Sequence, residues 1–289
     1  MNRVGFVLKP QSAQAAELLA DLVPRLASRG RRILVLEPEG TIRPAGTELV
    51  REEHLAASID LAVVLGGDGT MLRAATLVAD HGIPILGVNL GRLGFLTPFD
   101  PAEARDAIAA ALDGGLAVEE RSRLRVTHRP ESGSSEERIA LNDAVIHQGG
   151  LARLIDLEAR LDGKPIASYR ADGLIVCTPT GSTAYNLAAG GPILTPGQAA
   201  MVLTPICAHS LTTRPLIVPQ SGTVTVARTG EGDRGTAVIT VDGQWARSFA
   251  AGDCADITAT AAPIRVFRSS KGYFDILREK LHWDARAER

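Results

Sequence analysis

The segment Gly66-Gly67-Asp68-Gly69-Thr70 combines residue types that suit phosphate chemistry. It follows the apolar run Leu61–Leu65 and precedes a helix-compatible run from Met71 to Asp80, so we predict a helix that begins at Thr70. Successive glycines let main-chain N–H groups converge, and a helix N-terminus adds partial positive charge, so this turn could hold a phosphate without a lysine. Asp68 would repel that phosphate unless it binds Mg²⁺ or accepts a proton from an attacking hydroxyl. Phosphoryl transfer uses both functions.

The same segment has a simpler interpretation, as a tight strand-to-helix connection in which Asp68 caps the helix. Glycine pairs of this kind occur in many unrelated loops. The Walker pattern GxxxxGK[ST] does not occur in the sequence, and no GxGxxG spacing lies near the turn. These absences argue against a P-loop enzyme and an ordinary dinucleotide dehydrogenase, so a phosphate site here would be of another kind.

A second group of polar residues lies in the run Asp172–Pro192, which predicts a strand, a turn rich in hydroxyls and glycine, and a short helix. Thr180, Ser182 and Thr183 could contact a polar ligand, and Tyr185 could pack on a base or a sugar. Alternatively, Ser182 or Thr183 caps the helix and Tyr185 belongs to the core.

Two short polar motifs stand beside predicted strands. The neighbouring amide and carboxylate of Asn142-Asp143 could hold the vicinal hydroxyls of a ribose, and Asp242-Gly243-Gln244 follows the run Ala237–Val241. Taken alone, an ordinary turn is the favoured interpretation of both motifs, for the second a hairpin turn. Three arginines could meet phosphate or carboxylate groups, although surface arginines are usually solvated: Arg73, Arg153 and Arg170.

The sequence pattern of the elements that position these residues divides the chain into two parts. The first hundred residues alternate short apolar runs with helix-like segments, which is typical of βαβ units on a parallel sheet. They include a helix over 15–27, which Pro24 could kink, and a helix from Asp100-Pro101 to Gly114-Gly115. After Arg121 the sequence is β-rich, with a hairpin tip at Pro130–Glu137. We therefore predict a Rossmann-like α/β domain over 1–120, completed by a C-terminal helix within 270–289, and a β-rich domain over 121–269.

The composition narrows the class of protein. The chain has 289 residues with 31 basic and 33 acidic side chains, giving a net charge of −2. This near balance argues against binding to nucleic-acid backbones. The apolar runs are far shorter than the roughly 18–20 residues that cross a bilayer, so we expect a cytoplasmic protein. The three widely spaced cysteines predict neither disulfides nor a zinc site, and we expect reduced, small core residues: Cys177, Cys207 and Cys254.

Taken together, these motifs resemble those of the NAD kinase family. The resemblance also includes Pro205–Thr212, Arg214-Pro215-Leu216 and Tyr273–Arg278, so it covers nearly the whole chain in order. The GGDGT element alone is shared with lipid kinases and resembled in phosphofructokinases, but the run Asp172–Pro192 is far more specific. This chain departs from the common pattern at Asp143, where glutamate is frequent, and at Cys177, where serine is common.

The resemblance implies transfer of the terminal phosphoryl group of ATP to the 2′-hydroxyl of the adenosine ribose of NAD. It implies Mg²⁺ bound with ATP rather than by fixed protein ligands, and Asp68 as the proton acceptor. It assigns phosphate binding to Gly66, Gly67, Gly69 and Thr70. It assigns contacts with NAD to Asp68, Gly69, Arg73, Asn142, Asp143, Arg153, Arg170, Asp172, Thr180, Thr183, Ala184, Tyr185, Asn186, Leu187, Ala188 and Gln244.

Further expectations follow from the same resemblance. It implies a homodimer or homotetramer. The sequence leaves open whether polyphosphate can replace ATP. Because ligands bind at the carboxyl ends of strands in open parallel sheets, we expect the site in a crevice between Gly66–Thr70 and Asp172–Ala188. Two alternatives stay open at this point: a lipid or diacylglycerol kinase that shares GGDGT, and a non-catalytic NAD-binding regulator that would have no use for Asp68.

Overall fold

The computed structural model describes residues 1–37, 44–150, 154–230 and 236–283. Its first elements are β1 (Arg3–Leu8), α1 (Ala13–Ser28), β2 (Arg32–Leu36), β3 (Glu48–Val50), α2 (Glu52–Ser58), β4 (Leu61–Gly66), α3 (Asp68–Val78), a 3₁₀ turn (Ala79–His81), β5 (Ile85–Asn89), α4 (Ala104–Leu112) and β6 (Val118–Arg121).

The remaining elements are β7 (Leu124–Arg129), β8 (Glu136–Ala140), β9 (Asp143–Gln148), β10 (Ile155–Leu161), β11 (Lys164–Ala171), β12 (Gly173–Cys177), a 3₁₀ turn (Gly181–Thr183), α5 (Tyr185–Ala188), β13 (Ala200–Ile206), β14 (Leu216–Pro219), β15 (Val224–Thr229), β16 (Ala237–Val241), β17 (Trp245–Ser248), β18 (Cys254–Ala259), β19 (Ile264–Phe267) and α6 (Tyr273–Leu281). They form two compact units, one of residues 1–120 with 263–289 and one of 121–262.

The first unit is built on a seven-stranded sheet of order β3-β2-β1-β4-β5-β19-β6. Strand β1 pairs in parallel with β2 and with β4, and β4 pairs in parallel with β5. Every residue of β4 is buried, as expected for a central strand covered on both faces. This arrangement confirms the predicted α/β fold and places the glycine turn directly after a central strand.

Three helix boundaries in this unit differ from the sequence-based prediction. Helix α1 extends from Ala13 to Ser28 rather than over 15–27, and it runs through Pro24, which lies on its exposed side, away from the buried stripe. Helix α3 begins at Asp68 rather than at Thr70. Helix α4 begins at Ala104, because Asp100 and Glu103 exchange side-chain to main-chain hydrogen bonds of 2.9 and 3.0 Å in a separate turn that precedes it.

The second unit contains two antiparallel sheets of six strands, which confirms the predicted β-rich fold. Their orders are β11-β10-β15-β18-β7-β8 and β14-β13-β12-β9-β16-β17. One core cluster combines residues of both sheets, such as Val126 and Ile146. A smaller cluster with Ile175 covers the other face of the second sheet, so β12 is buried throughout. Residues 130–135 connect β7 and β8 in the predicted antiparallel hairpin, and the last two residues of the predicted tip, Glu136 and Glu137, already belong to β8.

The cysteines agree with the prediction in part. All three are free thiols, and Cys177 is fully buried at the end of β12. Cys254 is half-buried, but Cys207 is exposed, so the prediction of a core residue is wrong there. Cys207 directly follows β13 and adopts a φ of +47°, which places it in a turn at the surface rather than in the strand. Among the described helices, none is long and apolar enough to cross a membrane.

Candidate active site

Asp68 is the first residue of α3, and its carboxylate is held by a loop that follows β5. Oδ2 accepts a hydrogen bond of 3.0 Å from the amide of Phe95. Oδ1 accepts one of 3.0 Å from the amide of Leu96 and one of 3.2 Å from the hydroxyl of Thr97. The carboxylate therefore does not cap its own helix, which removes the simpler interpretation of this residue. Instead, three donors from a distant part of the chain fix its orientation.

Gly94 allows that loop to approach Asp68 closely. A Cβ atom at Gly94 would lie 2.1 Å from Oδ1 of Asp68 and 2.3 Å from the hydroxyl oxygen of Thr97. Both distances are far below van der Waals contact, so a side chain at this position would displace the carboxylate or the loop. Gly94 is thus required for the geometry around Asp68.

The glycines of the turn itself divide into two kinds. A Cβ at Gly66 would lie 2.3 Å from the hydroxyl of Thr70, so packing explains that glycine. At Gly67 and Gly69 a Cβ would meet no described atom within 4 Å, and neither residue has a positive φ. Neither steric crowding nor backbone conformation therefore requires a glycine at these two positions. The open space lies over the N-terminus of an 11-residue helix, where partial positive charge favours an anion.

Arg73 lies on α3 and is directed to a neighbour in the same unit. Its guanidinium donates two hydrogen bonds to Oε1 of Glu52 at the start of α2, one of them through Nε at 3.1 Å. About a third of the Arg73 side chain is exposed. A contact of Arg73 with NAD would therefore compete with this ion pair.

In the second unit, three of the predicted motifs lie together at one end of neighbouring strands of the same sheet. They are Asn142-Asp143, the turn after β12, and Asp242-Gly243-Gln244. Cys177 at the end of β12 pairs with Asp143 at the start of β9, and Val241 at the end of β16 pairs with Ala144. The turn after β12 also contacts these strand ends, because the amide of Thr178 donates to the carbonyl of Asn142 at 2.9 Å. Strand order thus brings together segments that are far apart in the sequence.

The carboxylate of Asp242 fixes the backbone at this end of the sheet. Asp242 adopts a φ of +50° in the β16–β17 hairpin turn, and its carboxylate accepts hydrogen bonds of 2.7, 2.8 and 3.0 Å from the amides of Leu141, Asn142 and Asp143. Burial raises the pKa of Asp242, while the three main-chain donors act in the opposite direction. The predicted hairpin is therefore confirmed, and its aspartate also fixes the backbone of the Asn142-Asp143 motif.

Asp143 has a very different environment from its neighbour. Its side chain is 5% exposed, and within the described residues no group donates a hydrogen bond to its carboxyl. Burial, and then repulsion by Asp242, raises the pKa of Asp143 to about 7. Of the two carboxyls, Asp242 is better placed to carry the negative charge, since hydrogen bonds favour the ionised form. The side chain of Asn142 is partly exposed and has no described partner.

The turn between β12 and β13 is held by fully buried polar side chains. The amide nitrogen of Asn186 donates 3.0 Å hydrogen bonds to the carbonyls of Ser182 and Pro192, and its oxygen accepts one of 2.6 Å from Thr204. The hydroxyl of Ser182 donates to Pro179 and accepts from the amide of Leu194. Both side chains therefore stabilise the turn, and neither caps α5.

Other predicted residues of this turn remain open to solvent. Tyr185 is 47% exposed, which excludes the alternative that it belongs to the core. The remaining accessible members are Thr183, Ala184, Leu187 and Ala188, whereas Thr180 is 6% exposed.

The outlying candidates are more dispersed. Arg170 is an exposed residue of β11, and its carbonyl accepts a hydrogen bond of 2.9 Å from the amide of His209. Asp172 links β11 and β12, and Gln244 is exposed in the turn after Asp242. Arg153 lies outside the described residues.

Comparison with known proteins decides between the alternatives that the sequence leaves open. Residues 4–116 match the ATP-NAD kinase N-terminal domain, and residues 141–269 match the ATP-NAD kinase C-terminal domain. The chain belongs to the NAD kinase family. An NAD kinase of Geotalea daltonii is 40% identical over 287 residues, which cover 99% of this chain and 100% of the relative. An NAD kinase of Moorella thermoacetica is 41% identical, with 97% and 89% covered.

Solved structures of the NAD kinase family have the same fold. Yeast NADH kinase in complex with NADH is 26% identical and has a TM-score of 0.90, with 100% of this chain and 89% of the other covered. An NAD kinase from Archaeoglobus fulgidus in complex with ATP is 27% identical and has a TM-score of 0.75, with 97% and 98% covered. The predicted family and fold are therefore confirmed, whereas the roles of individual residues stay predictions.

Two features of the candidate site were not recognised in the sequence. The first is the loop Gly94–Thr97, which holds Asp68; the glycine between Leu93 and Phe95 was the only local signal. The second is the contact of Asp242 with a segment 99 to 101 residues earlier in the chain. Neither partner could be identified without knowing which strands are neighbours.

Proposed function

We propose that this chain transfers the terminal phosphoryl group of ATP to the 2′-hydroxyl of the adenosine ribose of NAD, giving NADP and ADP. Full-length relatives that are about 40% identical and are NAD kinases support the reaction. The structural observation that carries the proposal is the carboxylate of Asp68, fixed by three donors at the start of a helix that follows a glycine turn.

The position of Asp68 suits a general base. A ribose hydroxyl is a weak nucleophile at neutral pH, and a carboxylate that takes its proton during the attack on phosphorus raises the rate by typically about 10²–10⁴-fold. Fixed orientation matters because proton transfer needs the two oxygens within hydrogen-bond distance. The donors to Asp68 supply this orientation.

The turn beside Asp68 suits the phosphates of the donor. The space over Gly67 and Gly69 would admit a phosphate close to the backbone, and the N-terminus of α3 favours its charge. Thr70 adds a hydroxyl in the first turn of the helix. We assign phosphate binding to these residues together with Gly66, whose lack of a side chain leaves room for Thr70.

The polar residues at the strand ends of the second unit suit the binding of NAD, which accepts the phosphoryl group. Asn142 has a side chain without a described partner, and Asp143 has a carboxyl without a donor, so both can bind ribose hydroxyls. The ring of Tyr185 is exposed and can stack on a base. We assign contacts with NAD to these residues and to Thr180, Thr183, Ala184, Leu187, Ala188, Gln244, Asp172, Arg170, Arg153, Arg73, Asp68 and Gly69, while Asn186 shapes the turn that carries several of them.

Magnesium would enter this site with the nucleotide. In proteins Mg²⁺ keeps several waters and binds substrate phosphates with only one or two carboxylates. Within the described residues, no cluster of three or more His, Cys, Asp or Glu side chains could hold a metal ion. When bound, Mg²⁺ would offset the charge of the phosphates beside Asp68.

We also propose that the chain forms a homo-oligomer. Strand β14 is an edge strand of its sheet, and its residues Leu216 and Ile217 are 40% and 49% exposed. Leu211, in the preceding segment, is 89% exposed. Exposed apolar residues on a sheet edge favour association with another chain. Light scattering that gives a monomer at micromolar concentration would contradict this assignment.

One assay tests the proposed reaction. The purified chain is incubated with Mg²⁺-ATP and NAD, and NADP is measured with an NADP-specific dehydrogenase. We expect NADP formation that depends on ATP, on NAD and on Mg²⁺. Binding of NAD without formation of NADP would favour a regulator, and phosphorylation of diacylglycerol in its place would favour a lipid kinase. Replacing ATP by polyphosphate in the same assay identifies the phosphoryl donors.

A further inference from the structure

A chain of buried hydrogen bonds connects the end of β5 with the carboxylate of Asp68. Asn89 is the last residue of β5 and is 6% exposed. Its oxygen accepts a hydrogen bond of 2.7 Å from the amide of Gly91. Its nitrogen donates to the carbonyl of Arg92 at 2.7 Å and to the hydroxyl oxygen of Thr97 at 3.0 Å. The main-chain amide of Gly91 can only donate, and the carbonyl of Arg92 can only accept. These two partners therefore determine which end of the Asn89 side-chain amide is oxygen and which is nitrogen.

This orientation determines where the proton of the Thr97 hydroxyl points. The nitrogen of Asn89 is a donor only, so the Thr97 oxygen must accept from it. The single hydroxyl proton is then free for the other neighbour, Oδ1 of Asp68, at 3.2 Å. Thr97 is 0% exposed, so bulk water does not compete for that proton. The hydrogen bonds thus run in one direction, from Asn89 through Thr97 to Asp68.

The two oxygens of Asp68 are occupied unequally as a result. Each carboxylate oxygen has about two lone pairs that can accept hydrogen bonds. Oδ1 accepts from Thr97 and from the amide of Leu96, whereas Oδ2 accepts, among the residues that the structure describes, only from the amide of Phe95. The backbone of Gly94 also lies close to Oδ1, because a Cβ atom built on Gly94 would be only 2.1 Å from that oxygen. Oδ1 is therefore saturated and enclosed, and Oδ2 keeps one free lone pair.

We propose that Thr97, oriented by Asn89, is a positioning residue that occupies Oδ1 of Asp68 and so leaves Oδ2 to accept the substrate proton. This inference rests on the proposed function. In the reaction, the O–H bond of the ribose 2′-hydroxyl breaks and the proton moves to Oδ2. The hydroxyl oxygen forms a bond to the terminal phosphorus of ATP, the bond from that phosphorus to the bridging oxygen breaks, and ADP leaves with the electron pair.

The test compares three variants with the wild type. Thr97→Val keeps the shape and removes the hydroxyl, and Thr97→Ser keeps the hydroxyl. Thr76→Val is the matched control: Thr76 is an exposed residue of α3 whose hydroxyl donates to the carbonyl of Leu72 at 3.1 Å. We expect Thr97→Val to lower kcat about tenfold, the effect of one lost hydrogen bond, with KM for NAD and ATP within about twofold. Thr97→Ser should recover most of kcat, and the control should match the wild type.

The pH dependence gives a readout that a purely structural role would not change. A carboxylate that loses a donor binds its proton more tightly, so the acid limb of the kcat profile should move to higher pH in Thr97→Val. Asn89→Asp is a second route if Thr97→Val does not fold. It replaces the donor by an acceptor that draws the Thr97 proton away from Asp68. This loss and the added negative charge both favour the protonated carboxyl, so the profile should shift in the same direction and further than in Thr97→Val.

The outcomes separate this inference from the proposed function. If the wild type forms NADP and Thr97→Val or Asn89→Asp has an unchanged kcat and pH profile, the positioning role is wrong while the proposed function stands. Equal impairment of Thr97→Ser and Thr97→Val, with the acid limb unmoved, would also overturn it, because the hydroxyl would then be irrelevant. A folded wild type that forms no NADP would refute both.

Discussion

Replacing Asp143 by Asn should remove a pH-dependent part of the free energy of unfolding. Asp143 is 5% exposed, its carboxyl has no described donor, and the charge of Asp242 disfavours its ionised form. Burial and that neighbouring charge raise its pKa from 3.8 to about 7. In the unfolded chain the carboxyl is solvated and releases its proton near pH 4. Between these two values the folded state holds a proton that the unfolded state has lost.

The sign and the size of the effect follow from this difference in proton binding. Because the folded state binds more protons between about pH 4 and pH 7, its stability is highest at the acid end and decreases as the pH rises. Each pKa unit is worth about 1.4 kcal/mol. The raised pKa, from 3.8 to about 7, therefore corresponds to about 4 kcal/mol lost over this window. An asparagine cannot titrate, so the variant should lack this contribution.

Urea unfolding at intervals from pH 5 to pH 8 measures the effect. Trp245 packs against the core cluster of the second unit, which includes residues of β9, the strand that begins at Asp143. Its fluorescence reports on that unit once Trp283, which belongs to the first unit, is replaced by Phe. The quantity of interest is the difference in unfolding free energy between Asp143→Asn and its parent as a function of pH. We expect this difference to shift in favour of the variant by about 3 kcal/mol between pH 5 and pH 8, because the assay covers only the upper part of the window that ends near pH 7.

A matched control removes a charge of the same type elsewhere. Asp162 is an exposed residue of the turn between β10 and β11, and Asn retains the oxygen that accepts from the amide of Thr223 at 2.8 Å. Asp162→Asn should follow its parent in parallel across the pH range. Parallel curves for Asp143→Asn as well would refute the reasoning, since the buried carboxyl would then titrate alike in the folded and unfolded states.

Three further predictions concern the candidate site and the thiols. Asn142→Ala should weaken NAD binding by about 1–3 kcal/mol, measured by calorimetry, and unchanged affinity would return this residue to an ordinary turn. Gly94→Ala should lower turnover at least tenfold, because its Cβ would lie 2.1 Å from Oδ1 of Asp68, whereas Gly115→Ala, which has no contact closer than 3.5 Å, should not. Replacing all three cysteines by Ala should leave turnover intact in a folded variant, and lost turnover with unchanged NAD affinity would show that a thiol takes part.

The sequence predicts the elements around the glycine turn well because local rules determine them. The run Leu61–Leu65 is apolar throughout, as a central parallel strand requires, and glycines end it. The start of α3 is less predictable, since Gly67 at the N-cap position gives no side-chain signal of the kind that Ser or Asp provides. The helix therefore includes Asp68, two residues earlier than predicted.

Long-range contacts of single side chains explain what the sequence does not reveal. The donors to Asp68 lie 27 to 29 residues away in the chain, and those to Asp242 lie 99 to 101 residues away. Their identity depends on strand order, which places β5 beside β4 and β9 beside β16. Asn186 illustrates the same point, since its type and motif favour a ligand contact while its buried hydrogen bonds serve the turn.

The central claim is that Asp68 is the base in the phosphorylation of NAD, and Asp68→Asn tests it most directly because it keeps the size of the side chain and removes its charge. The measurement is the rate of NADP formation at saturating Mg²⁺-ATP and NAD, with NAD affinity determined in parallel by calorimetry. We predict NADP formation by the wild type and a loss of about 10²–10⁴-fold in turnover for the variant, with NAD binding retained. Near-normal turnover of Asp68→Asn under these conditions would contradict the account.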